Sequence, residues 1–141
     1  MRRTSDRIRH AVSFELIALA IITPLGAAVF DTPVKEMGVV TLVSATIATL
    51  WNYVYNLMFD HAMLRWRGSV LKTPMIRVLH AVLFELGLLF VLIPFIALYL
   101  GVGLWTAFLM DVAFAGFYLV YAFCFNWAYD TVFPVPEPEK A

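Results

Sequence analysis

The stretch RIRHAVSFELIALA fills residues 7–20, and RVLHAVLFELGLLF fills residues 77–90. Aligned from these starts, 7–30 and 77–100 are identical at Arg7/Arg77, His10/His80, Ala11/Ala81, Val12/Val82, Phe14/Phe84, Glu15/Glu85, Leu16/Leu86, Leu19/Leu89, Pro24/Pro94 and Ala27/Ala97. Shared leucines and alanines mean little in an apolar segment, whereas shared Arg, His, Glu and Pro mean more. A second pair of segments matches at an offset of 74 residues. WNYVYN from Trp51 lies over FNWAYD from Phe125, pairing Asn52 with Asn126, Tyr55 with Tyr129 and Asn56 with Asp130. The repeating unit is therefore a pair of segments, used twice.

Each segment is long and apolar. Four such runs cover Ala11–Phe30, Gly38–Phe59, Leu79–Leu100 and Leu104–Tyr129. At about 1.5 Å per helical residue, each spans the roughly 30 Å hydrocarbon core of a bilayer. They are apolar on all faces, which suits lipid rather than a one-sided core. The composition agrees: 62% of residues are hydrophobic and 14% charged, against about 45–50% and about 25% in ordinary globular domains. In hydrocarbon every backbone polar group must be satisfied internally, so the runs are read as helices. The expected fold is an all-α integral membrane protein with four transmembrane helices. Arg2, Arg3 and the small residues Gly26 to Ala28 resemble parts of a signal peptide. Glu15 interrupts the apolar region of such a signal, however, and the copy at 77–100 is internal, so the first run is read as a retained helix.

Two crossings return the chain to its starting side, so the two helical hairpins are expected in tandem with parallel orientation. Arg2, Arg3, Arg7 and Arg9 precede the first helix, Arg65, Arg67, Lys72 and Arg77 lie between the second and third, and Lys140 follows the fourth. Lys35 alone lies on the other side. This bias places the N and C termini and the middle loop in the cytoplasm and argues against dual topology. The expected organisation is a first helix pair over 1–64, a second over 65–133, and a short polar cytoplasmic tail over 134–141. Asp31 to Pro33 and Gly101 to Gly103 supply the outer turns.

Several polar residues lie inside these helices. A charged side chain at mid-membrane costs roughly 2.5–3.5 kcal/mol on insertion scales. Glu15 and Glu85 stand about six residues inside their runs, on the order of 9 Å from the cytoplasmic end. Such carboxyls suit proton coupling and cation binding; the plainer alternative is a protonated Glu bonding a neighbouring helix. Asp111, about eight residues into the fourth run, has no acidic counterpart in the first repeat and is a further cation-binding candidate. Asn52 and Asn126 return to about the depth of the glutamates and complete an expected polar layer, or else staple helix to helix. His10 and His80 serve as a proton relay or as interfacial hydrogen-bonding groups. Ring faces attract organic cations, so Phe14, Trp51, Tyr55 and Tyr118 join the asparagines as substrate-pocket candidates.

No residue pattern points to catalysis or to a metal. Cys124 is a single cysteine in an apolar run, where a small buried side chain is expected. There is no P-loop, so an ion gradient is the expected energy source and no cofactor is expected. Nucleic acid is not an expected partner.

RIRHAVSFE, WNYVYNLMFD, RVLHAVLFE and FNWAYD resemble the four helix signatures of the proteobacterial antimicrobial compound efflux family, which carries the bacterial transmembrane-pair repeat. The resemblance covers about residues 7–133. It implies an inner-membrane exporter of cationic biocides such as chlorhexidine, and in some members of acriflavine-type dyes or short-chain diamines, in exchange for protons. It implies that Glu15 is the coupling residue. Asp111 lies outside the signatures. The expectation is therefore a multi-pass bacterial inner-membrane antiporter, acting as a homodimer because four helices enclose little. The alternatives are a non-transporting membrane assembly subunit and a small cation channel.

Overall fold

The computed structural model describes residues 3–134. Most of the expected tail, residues 135–141, lies outside the described residues. The chain forms four helices: α1 (Thr4–Val29), α2 (Val34–Arg67), α3 (Pro74–Leu100) and α4 (Leu104–Val132). All four are long and apolar enough to cross a membrane. Their outer surfaces carry large bare side chains; Leu98 is 85% exposed and Phe90 82%. Continuous apolar surface of this kind suits contact with lipid tails and not water. The protein is a multi-pass membrane protein.

The ends of the helices follow local chemistry. Thr73 caps α3, its side chain accepting from the Ile76 N–H, and Pro74 takes the first turn, where a missing N–H costs nothing. At the other end Gly101 adopts a left-handed conformation (φ 65°) and the Val102 N–H closes on the Ala97 carbonyl at 3.1 Å. The first repeat makes the same closure, with the Thr32 N–H on the Ala27 carbonyl at 3.0 Å and Asp31 in the left-handed position (φ 47°). Aspartate tolerates that region better than most side chains. The repeat thus extends to the hydrogen bonds of its turns. Pro24 and Pro94 sit at matching places inside α1 and α3, and both helices continue through them.

α2 runs eight residues beyond its apolar stretch, through DHAMLRWR, and stops at Gly68 (φ +67°). Charged and large residues support a helix well enough; the left-handed glycine ends it.

Packing divides the chain into two units, residues 1–38 with 112–141, and residues 39–111. In the first unit α1 lies against the second half of α4, and Ala18, Ile22, Met37, Phe114, Tyr121 and Tyr129 are buried. Gly26 lets Met37 approach: a Cβ there would stand 3.1 Å from the Met37 sulfur. In the second unit α3 lies against α2, and Val40, Tyr55, Met63, Leu92, Ile96 and Met110 are buried. Gly87 is a notch that receives the Trp51 indole, whose Cζ2 would be 2.3 Å from an added Cβ. Each unit therefore joins a leading helix of one repeat to the trailing helix of the other. The residue pairs at the two contacts correspond: His10 meets Tyr129 edge to face at 4.6 Å, and His80 meets Tyr55 at 5.0 Å.

Candidate functional site

In the first unit Glu15 follows Phe14 on α1 and is partly buried. The Phe14 ring stands at the centre of an aromatic group, 4.9 Å from Tyr121, 5.2 Å from Phe125 and 6.3 Å from Tyr118. The Tyr121 hydroxyl donates to the Phe14 carbonyl at 2.8 Å. Tyr118 and Tyr121 both lie within electrostatic reach of the Glu15 carboxylate. The Tyr118 hydroxyl is buried and has no hydrogen-bond partner among the described residues. A carboxylate, several ring faces and an unused hydroxyl in one place are the elements of a site for an organic cation.

Towards the start of α1, His10 Nε2 and Asn126 Oδ1 are 2.8 Å apart, joining α1 to α4. The His10 ring is enclosed by Tyr129 and, at 5.3 Å, Phe125. One turn further out, Arg9 donates to the Tyr129 hydroxyl at 2.9 Å, that hydroxyl donates to Asp6 at 2.8 Å, and Arg9 also pairs with Asp6. The Arg9 guanidinium lies 3.9 Å from the centre of the Phe133 ring.

The second unit repeats the plan with different details. Tyr55 donates to the His80 carbonyl at 2.8 Å, and His80 Nε2 lies 3.0 Å from Asn56 Oδ1. Asn56 in turn donates to the Asn52 side chain at 2.9 Å. Trp51 Nε1 donates to the Phe84 carbonyl at 3.1 Å, the counterpart of the Tyr121 bond to Phe14. Glu85 is exposed, whereas Asp111 is 7% exposed. Asp60 pairs with Lys72 at 3.2 Å, on the loop before α3.

The sequence-derived residues thus fall into two sets. Phe14, Glu15, Tyr118, His10 and Asn126 belong to the first unit; Trp51, Asn52, Tyr55, His80, Glu85 and Asp111 belong to the second. Asn126 bonds His10, and Asn52 bonds Asn56. Trp51 and Tyr55 are held by main-chain carbonyls of α3. Cys124, expected to be buried, is exposed on α4, because α4 is apolar all round and sequence does not say which face meets a neighbour. Gly87 is a contact residue that sequence did not single out; Asn56 entered it only through its pairing with Asp130, and Tyr121 only as one of several deep aromatics. The exchange of Ile17 for Gly87 between repeats marks the Trp51 notch in retrospect.

The sequence profile of the chlorhexidine efflux transporter family matches the chain twice, over residues 2–65 and 72–135, once for each repeat. A short-chain diamines transporter of Vibrio parahaemolyticus is 39% identical over 138 residues, 96% of each chain. One of Acinetobacter baylyi is 36% identical over 126 residues, 89% of this chain and 88% of the relative. Another, of Acinetobacter baumannii, is 32% identical over 89% of this chain and 86% of the relative. No solved structure matches the chain. Two profile matches in tandem, and relatives alike over nearly their whole length, establish that the chain is a transporter and not an enzyme, and that it belongs to the chlorhexidine efflux transporter family.

Proposed function

We propose that the protein exports cationic compounds, among them short-chain diamines and chlorhexidine-like biocides, across the bacterial inner membrane in exchange for protons. The substrate classes come from the family and the named relatives. Basic residues cluster before α1 and between α2 and α3, which supports a cytoplasmic placement of those segments.

The observation that carries the mechanism is the surrounding of Glu15. Its carboxylate lies within electrostatic reach of Tyr118 and Tyr121, whose rings pack around that of Phe14 at 6.3 and 4.9 Å. With Glu15 ionised, a cation from the cytoplasm gains a counter-charge and ring faces, and the free Tyr118 hydroxyl can accept from an ammonium N–H. With Glu15 protonated, the counter-charge is gone and the cation leaves. Proton and substrate compete for one carboxyl, and that competition is the coupling. The proton gradient supplies the energy and no cofactor takes part. His10, bonded to Asn126, lies between Glu15 and the start of α1 and passes protons towards the cytoplasm. The working form is a homodimer.

The test is uptake into proteoliposomes under an imposed pH gradient. Chlorhexidine or a diamine accumulates against its own gradient, and a protonophore abolishes the accumulation. Equilibration of the cation without any response to the pH gradient contradicts antiport and describes a channel.

A further inference from the structure

We propose that Glu85 and Asp111 form a second cation site, one that holds both ammonium groups of a short diamine. This rests on the export of cations proposed above and names the substrate feature that a second site would read.

Asp111 is the only carboxylate among the buried side chains of the described residues, at 7% exposure. No hydrogen-bond donor among the described residues reaches its carboxylate, and its electrostatic neighbour is Glu85, another acid. Buried charges are ordinarily paired. Here the chain offers no pairing cation: no Lys or Arg occurs from Val39 to Leu64, or after Arg77 as far as Asp111. Arg77 itself stands eight residues before Glu85 on α3, about 12 Å away along the helix. Leu92, Ile96, Ala107 and Met110 are buried around the depth of Asp111, and so are the hydroxyl-bearing Thr41 and Ser44, seven and ten residues into α2. An unpaired buried acid with a second acid as its electrostatic neighbour, among mostly apolar side chains, calls for a cation from outside the chain.

The spacing selects the kind of cation. Glu85 lies fifteen residues before the end of α3 and Asp111 seven residues after the start of α4, so their main chains differ in depth by about 12 Å. The side chains narrow that gap. One ammonium satisfies one carboxylate and leaves the other with its charge unmet. Two ammonium groups joined by a few methylenes satisfy both, with the methylenes against the apolar side chains. Asp111 has Met37 at the equivalent place in the first repeat, so the site exists once, in the second unit.

The experiment is equilibrium binding to the purified full chain, comparing putrescine with butylamine, which has the same carbon chain and one charge. Wild type is expected to bind putrescine more tightly. Asp111→Asn and Glu85→Gln are each expected to reduce that preference roughly tenfold. Glu85 is exposed, so the Gln variant keeps the test decisive even if the Asn variant does not fold. A putrescine preference that survives intact in Glu85→Gln overturns the site, as does a wild type that binds both amines equally. Failure of wild type to bind or move any cation removes the export reading itself, a result distinct from equal binding of the two.

Discussion

The Tyr121 hydroxyl reaches across from α4 to the carbonyl of Phe14 on α1, at 2.8 Å, one residue before Glu15. The bond fixes the ring that flanks the carboxylate and ties the two helices together at its level. Hydrogen bonds between membrane helices contribute about 0.6 kcal/mol on average, so its loss disturbs position more than stability. Tyr121→Phe is expected to fold with a Tm within a few degrees of wild type and to bind substrate several-fold more weakly. Binding titration and thermal unfolding of the same preparation check both parts.

Tyr118 makes the opposite case. Its hydroxyl is buried without a partner among the described residues, and such a group costs about 1–3 kcal/mol. Tyr118→Phe removes that cost while keeping the ring. The substrate-free variant is expected to be more stable than wild type and to bind cations less well, because the hydroxyl meets its partner only when substrate is present. Thermal unfolding with and without substrate measures both signs. A variant that is destabilised and binds normally would show the hydroxyl to be purely structural.

The two helix-contact glycines differ in what faces them. At Gly87 an added methyl meets the Trp51 indole at 2.3 Å, and the indole is anchored by its bond to the Phe84 carbonyl. At Gly26 it meets the flexible Met37 thioether at 3.1 Å. Gly87→Ala is expected to cost about 1–3 kcal/mol through overpacking; Gly26→Ala is expected to cost less, because Met37 can change rotamer. Comparing the two by thermal unfolding, with Trp51 fluorescence as a local reporter, decides it. Equal losses would mean that Trp51 is not held as described.

Much of this fold is legible in the sequence because a bilayer leaves few alternatives. Runs of twenty or more apolar residues specify helices, and Asp31 and Gly101 mark turns that close in the same way. Which helices lie against each other is not legible. A helix apolar on every face carries no stripe to say where its neighbour is, so the contacts of α1 with α4 and of α3 with α2 emerge only from the structure. The end of α2 at Arg67 was hidden for a related reason: the apolar run reports the thickness of the lipid, not the length of the helix. In the candidate site, Glu15 stood out as an acid among apolar residues. Tyr121, one aromatic among many, had no such contrast, and its hydrogen bond gives it significance.

The central claim is that Glu15 exchanges a proton for a cation. Its most direct test is lumenal pH in proteoliposomes subjected to a chlorhexidine or diamine gradient, comparing wild type with Glu15→Gln. The account predicts substrate-driven proton movement by wild type and none by the folded Gln variant. Proton movement that persists in Glu15→Gln, or its absence from wild type with every cation tried, would contradict it.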